Sequence, residues 1–176
     1  MLIVKPDPQT SMINYSTVLK VPYWSQDEEE YTCGPICIRM ALSFLEGKRL
    51  SKKEYLRILD VTMNGNPQKK SGTSKLKLKK AIKERGYRCR TIYGEKGITK
   101  ALERKHPVFV YCWMKDEDGE RYPHYVVIRG QEDKKYFHIN DPCNGKPGKI
   151  QKKIFMVRAQ KLNWGNKQWG IEVYKE

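Results

Sequence analysis

The sequence predicts an α+β fold: an N-terminal helical half packed on a C-terminal antiparallel sheet, with a cleft between them. Three observations carry this. Apolar residues recur at helical spacing from Cys33 to about Gly86, short strand-like runs replace them from Tyr87 onward, and polar loops of hairpin length join neighbouring runs. The expected organisation is an N-terminal arm over 1–19 and one domain over 20–176, its helical half spanning about 20–86 and its sheet half about 87–176. At 176 residues such a domain buries a core without disulfide or metal staples, and four Trp with eleven Tyr argue against disorder.

In the helical half, Ile36, Cys37, Met40, Ala41, Phe44 and Leu45 recur with helical period, and Gly47 follows where a left-handed cap is usual. This predicts a helix over 33–46 with one buried stripe. Ser51 followed by Glu54 forms a capping-box pattern, and Tyr55, Leu56 and Leu59 give a second short helix an apolar side that ends near Asn64-Gly65. A third helix is expected from Thr73 or Ser74, with Leu78, Ala81 and Ile82 on one side, lysines on the others and Gly86 closing it.

From Tyr87 the runs "YRCRTIY", "PVFVYCWM", "HYVVIRG", "YFHIND" and "GIEVYKE" read as strands, with a small helix around Ile98 to Arg104. "KDEDGERYP" and "GQEDKK" have the composition of hairpin loops. "DEDG" lacks the twelve-residue ligand series of a calcium loop and is better read as a turn.

The formal net charge is +15. Ten basic residues and a single acid, Glu84, lie between Lys69 and Arg90, so one strongly positive face is expected. Such a face suits nucleic acid or another anionic surface as partner, and charge alone does not choose between them. Five Cys (33, 37, 89, 112, 143) without a Cys-x-x-Cys pair, together with no signal peptide and no apolar run of spanning length, predict a cytoplasmic protein in a reducing environment.

The stretch "YWSQDEEEYTCGPICIRMAL" places Cys33 where an extended segment becomes a helix. Unpaired amides and the dipole at a helix N-terminus favour a thiolate, Pro35 fits the first turn, and Gly34 is expected to leave the backbone beside the sulfur uncrowded. A nucleophilic thiol needs a base. His106 precedes Pro107 in a loop and reads as a surface residue, while His138 alternates with Phe137 and Ile139 and faces away from them; His124, at the start of "HYVVI", is the best base.

If "HYVVIRG" and "YFHIND" pair as a hairpin, His124 comes near Asn140 and Asp141, and Asp141 can hold the imidazole in one tautomer. Taken alone, Asp141-Pro142 is equally a turn initiator. Gln26 completes the set if its side-chain amide and the Cys33 N–H face a developing oxyanion, a contribution of about 3 kcal/mol per donor. Cys37, Cys89 and Cys112 read as core or half-buried. Cys143 follows Asp-Pro and could approach the site, but no role is assigned to it. The usual zinc spacings are absent.

"VPYWSQ…YTCGPICIRMAL", "HPVFVYCW" and "HYVVIRG…FHINDPCNG" resemble, in order, the bacteriocin-processing cysteine peptidases that cut double-glycine leader peptides, a branch of the papain-like fold. The resemblance runs from about residue 20 to the C-terminus. It implies Cys33 as nucleophile, His124 as general base and acid, Asp141 as orienter and Gln26 as oxyanion donor, acting on a peptide or protein substrate without metal or organic cofactor. Many such peptidases are N-terminal domains of peptide-exporting transporters. No membrane segment follows here, so coupling to export is not expected.

The expected activity is therefore thiol-dependent hydrolysis of a peptide or amide bond through an acyl-enzyme on Cys33. A papain-like acyltransferase would use the same residues with another acceptor. The alternative is a peptidase-like scaffold serving as a basic nucleic-acid or anionic-surface binding module, which would have no need to keep Gln26, Cys33, His124 and Asp141 together.

Overall fold

The computed structural model describes residues 18–26, 31–65, 72–115, 118–143, 145–160 and 169–176. The helical half opens with α1 (Cys33–Glu46), which stops where Gly47 takes φ 67° and its N–H donates to the Phe44 carbonyl. Nine of the fourteen α1 residues are buried, so the helix is enclosed on most of its circumference rather than along one stripe. It is the central helix, covered by α2 (Lys52–Met63) and α3 (Lys75–Glu84) and laid on the sheet.

The caps are those the sequence predicts. The Ser51 hydroxyl accepts from the Glu54 N–H while the Glu54 carboxylate accepts from the Ser51 N–H at 2.8 Å, and Ser74 accepts from Lys77 N–H. Asn64 ends α2 in the left-handed region at φ 57°. In α3 the buried residues are Leu78, Ala81 and Ile82.

The sheet half follows as β1 (Arg88–Tyr93), α4 (Gly94–Glu103), β2 (Val108–Lys115), β3 (Arg121–Glu132), β4 (Tyr136–Asn140), β5 (Pro147–Gln151), α5 (Lys152–Gln160) and β6 (Trp169–Tyr174). All pairings are antiparallel, and the strand order is β1-β6-β2-β3-β4-β5. The β3–β4 hairpin turns at Asp133 and Lys134, both with positive φ (49° and 55°), and closes with Lys135 N–H donating to Glu132 O at 3.0 Å. α4 begins earlier than the helix expected from Ile98. β5 and α5 were not expected at all: α5 is anchored by Phe155 and Ala159, one turn apart, with Phe155 edge-on to Phe137 at 5.7 Å.

The last strand does not lie at an edge but enters between β1 and β2, where its apolar alternation buries Ile171 and Val173. Gly170 makes this insertion possible. A Cβ there would stand 2.9 Å from Val108 Cγ1, 3.1 Å from Val110 Cγ2 and 3.3 Å from the Phe109 carbonyl. Gly170→Ala is therefore expected to lower stability by about 1–3 kcal/mol in urea denaturation, and an unchanged midpoint would contradict this packing.

Three expectations need adjustment. Val18 and Leu19, at the inner end of the anticipated arm, join the fold: Val18 bridges Gly130, and buried Leu19 donates its N–H to Arg129 O at 2.6 Å. His106 is not a plain surface residue. Its Nδ1 lies 2.7 Å from Oε1 of the fully buried Glu172, which also binds Arg90 and Arg104, and its ring stacks on Tyr174 at 5.1 Å. Burial alone would push the Glu172 carboxyl up, but the bonds from Arg90, His106 and Arg104 outweigh it and hold it below its ordinary value.

The basic segment is the third. Lys69 and Lys70 lie outside the described residues, and several of the remaining cations are tied to the fold. Arg85 joins Glu46 and Glu54 at 3.1 and 3.2 Å, Arg90 binds Glu172, Lys79 reaches Thr91 and Lys77 reaches Asn64. Part of the charge thus fastens α3 and β1 to their neighbours. Among the described residues, no helix is long and apolar enough to cross a membrane.

Candidate active site

Cys33 is the first residue of α1, reached through Tyr31 at φ 66° and the N-cap Thr32. The Thr32 carbonyl accepts from Ile36 N–H at 2.9 Å, so the helix is fully formed from its first turn. The Thr32 side chain does not cap it, and Pro35 has no N–H, so the Cys33 and Gly34 amides are among the donors at this helix end. Cys33 itself is partly exposed.

Gly34 has a different use from the one expected. A Cβ would stand 3.0 Å from Leu78 Cδ2 and 3.4 Å from Tyr125 Cδ2, so the missing side chain lets the N-terminus of α1 press against α3 and β3. This close packing brings Cys33 to the sheet.

His124 lies on β3 opposite Cys112 of β2, and the β3–β4 register pairs Val127 with Asn140. The start of β3 therefore meets the end of β4, as the hairpin argument requires. His124 Nε2 is 2.7 Å from Asp141 Oδ1, and both side chains are 2 % exposed. Asp141 Oδ1 also accepts from the Cys143 N–H at 2.9 Å, and the Tyr122 ring meets the imidazole edge-on at 5.5 Å.

Burial by itself would favour a neutral imidazole. The bond to Asp141, followed by bonds to the Cys143 and Cys33 sulfurs, outweighs burial and raises the His124 pKa well above its usual range. With Nε2 bound to the carboxylate, Nδ1 is the nitrogen turned to sulfur, and Cys143 Sγ lies 3.9 Å from it. The core thiols differ. Burial raises Cys37 well above an ordinary thiol and pushes Cys112 up to about 12, so neither is a nucleophile.

Gln26 arrives on the segment 21–26, which is fastened alongside the Asp141 turn. Asn140 Nδ2 donates to Val21 O at 3.1 Å, Tyr23 Oη to Asp141 O at 3.0 Å, Ser25 Oγ to Pro142 O at 3.3 Å and Gln26 N–H to Pro142 O at 3.1 Å. Trp24 is clamped between the Arg39 and Arg49 guanidinium groups, 3.4 and 3.9 Å from its ring centre. Gln26 Oε1 is buried without a hydrogen-bond partner among the described residues.

Cys143 stands at this site although sequence reasoning assigns it no role, and a local signal was present. Asp141-Pro142-Cys143 is an Asx turn: the carboxylate takes the N–H two residues on, so whatever follows the proline is drawn toward the histidine that the same carboxylate holds.

The model of the Peptidase_C39 like family matches residues 18–168. Among solved structures, the peptidase domain of Streptococcus ComA, a bi-functional ABC transporter involved in a quorum-sensing pathway, is similar at TM-score 0.60 and 19% identity, over 92% of this chain and 99% of that one. A double glycine motif protease from an AMS/PCAT transporter, in complex with the leader peptide, is similar at TM-score 0.58 and 19% identity, over 90% and 94%. The Streptococcus mutans ComA peptidase domain gives 0.54 and 21%, over 86% and 98%. At these identities the structures establish a shared fold, papain-like α+β. No curated protein matches the chain. On the family match over most of its length, this chain belongs to the Peptidase_C39 like family and is a cysteine peptidase.

Proposed function

We propose that the chain hydrolyses a peptide bond with Cys33 as nucleophile, His124 as general base and acid, Asp141 as its orienter and Gln26 as an oxyanion donor. The observation that carries this is the buried His124–Asp141 pair, which leaves Nδ1 for a sulfur, with Cys33 at a helix N-terminus among the groups that raise the His124 pKa. The Cys33 sulfur attacks the carbonyl carbon as its proton passes to His124 Nδ1. The tetrahedral oxyanion is met by the Cys33 N–H and the Gln26 carboxamide. His124 then protonates the leaving amine, and water, deprotonated by the same nitrogen, releases the acyl group.

The buried carboxamide oxygen left without a bond among the described residues supports the Gln26 assignment, since rotation exchanges it with the NH2 group and brings a donor to the same place. Gln26→Ala is expected to lower kcat about 10²–10³-fold with KM little changed. A loss confined to KM would place Gln26 in substrate binding instead.

The substrate proposed is a double-glycine leader peptide, the class named for the AMS/PCAT relative. Incubating the full chain with a set of precursor peptides that vary the two residues before the cut, followed by mass spectrometry of products and of the Cys33 acyl adduct, tests it. Cleavage after Gly-Gly with acylation at Cys33 is the expected result. Acylation at another Cys would overturn the nucleophile assignment, and cleavage indifferent to both glycines would overturn the substrate.

A further inference from the structure

One short segment without regular secondary structure, residues 21–26, carries Gln26 and braces the Asp141 turn. We propose that Tyr23 is a positioning residue of the peptidase site: its hydroxyl, shared between the Asp141 and Pro142 carbonyls, sets the carboxylate and the oxyanion donor from a single point. The placement rests on geometry. Its catalytic consequence rests on the roles proposed above for Asp141, His124 and Gln26.

Tyr23 Oη lies 3.0 Å from the Asp141 carbonyl oxygen and 3.4 Å from that of Pro142. Its single proton is donated mainly to the nearer one. The two carbonyls belong to consecutive peptide units, and the proline ring fixes the φ angle between them. Holding both therefore orients the backbone from which the Asp141 carboxylate and the Cys143 N–H project. One oxygen of that carboxylate meets His124 Nε2 at 2.7 Å and the Cys143 N–H at 2.9 Å, so a tilt of the turn is passed on to the imidazole. Burial raises the Tyr23 pKa above its ordinary value, which keeps the phenol protonated and donating.

The same turn receives the oxyanion donor. The Gln26 N–H at 3.1 Å, Ser25 Oγ at 3.3 Å and Tyr23 Oη at 3.4 Å converge on the Pro142 carbonyl. A carbonyl oxygen has two lone pairs, so these donors share it, and the shorter bond to Asp141 O is the one that anchors the Tyr23 side chain. On the other side, the Tyr23 carbonyl accepts from Arg49 Nη2 at 3.1 Å, and the neighbouring Trp24 ring lies between Arg49 and Arg39. Arg39 stands on α1, the helix that begins at Cys33. Tyr23 is thus tied to the sheet half by its side chain and to the helical half by its backbone.

Rate is sensitive to such placement, since a displacement of about 1 Å at a reacting group costs about 10²-fold. Tyr23→Phe keeps the ring and removes the bond. It should lower kcat for leader-peptide cleavage by about 10–10²-fold with KM little changed, because the substrate still binds and only the groups that act on it are misplaced.

Titration of nitrogen-labelled histidines by NMR, in the full chain, reads the placement without any substrate. In Tyr23→Phe the His124 midpoint should fall toward that of an ordinary histidine, while His106 and His138 keep theirs. The groups beside the His124 ring, Asp141, Cys143, Cys33, Tyr122 and Cys112, are all retained in that variant, so the fall reports position and not lost charge. Gly170→Ala, which disturbs the sheet between β6 and β2, should leave both the midpoint and kcat unchanged. In a Gln26→Ala chain the loss from Tyr23→Phe should be at least about threefold smaller, because the donor it helps to place is already gone.

A His124 midpoint unmoved by Tyr23→Phe overturns the hold on Asp141. A kcat loss of the same size with and without Gln26, or a loss confined to KM, overturns the link to the oxyanion donor. Equal effects in Gly170→Ala would mark general loosening of the fold and overturn both. If the wild-type chain cleaves no leader peptide while the midpoint still falls in Tyr23→Phe, the proposed peptidase roles fail and the hold of Tyr23 on Asp141 stands.

Discussion

Cys33→Ala is expected to lower kcat/KM for peptide cleavage by about 10⁴–10⁶, leaving the residual rate that binding and backbone donors supply without a nucleophile. The loss should appear in kcat, because the sulfur reacts only after substrate is bound. Removing it should cost little stability, since Cys33 is partly exposed at a helix end and its helix is started by the Thr32 carbonyl. Single-turnover kinetics with a leader peptide, alongside a melting curve, checks both. Substantial activity in a well-folded Cys33→Ala protein would move the nucleophile elsewhere, with Cys143 the first place to look.

Asp141→Asn is the second large effect. One carboxylate oxygen meets both His124 Nε2 and the Cys143 N–H, so an asparagine either keeps a neutral oxygen there, which no longer stabilises a charged ring, or turns its NH2 toward the ring and favours the other tautomer. The expected loss in kcat is about 10⁴-fold, as for the equivalent change in a serine peptidase triad.

The same substitution has a pH signature. Against burial, which favours the neutral ring, the Asp141 bond and the two sulfurs raise the folded-state pKa of His124 well above the unfolded value near 6.5. A raised pKa means that the folded protein holds this proton more tightly. The stabilisation is complete below about pH 6.5 and disappears as pH rises through the folded value. Melting temperatures from pH 6 upward should therefore decline as this contribution fades, and the decline should flatten in Asp141→Asn. A wild-type curve with the same slope as the variant would contradict the proposed coupling.

Much of the helical half was legible because its signals are local. The Ser51/Glu54 box, the stripe of α3 and the Gly47 stop each depend on contacts within a turn or two. The β3–β4 hairpin and the meeting of His124 with Asp141 were legible for a related reason: adjacent antiparallel strands joined by a short turn have few possible registers. The cradle for Gln26 was not, because it depends on segment 21–26 being fastened to residues more than a hundred positions away.

The misplaced residues share one cause. His106 looked like a loop residue because the partner of its ring, Glu172, comes from the distant strand inserted between β1 and β2. α5 was missed because apolar residues lie on both its sides, exposed Ile154 and Val157 beside buried Phe155 and Ala159, and the Phe137 ring that meets Phe155 lies on a distant strand. Gly34 looked like open space beside a sulfur, and only the approach of Leu78 and Tyr125 makes it a packing requirement.

The sequence by itself determined the α+β class, the helix that begins at Cys33, and the hairpin that delivers an aspartate to a histidine. Each follows from periodicity, caps or short-turn geometry within neighbouring stretches of chain. Only the tertiary structure decided that β6 runs through the middle of the sheet, that the basic segment spends part of its charge on internal acids, and that a second thiol stands at His124. Those outcomes depend on which distant surfaces meet, and burial and pairing energies between remote segments leave no periodic trace in either segment alone.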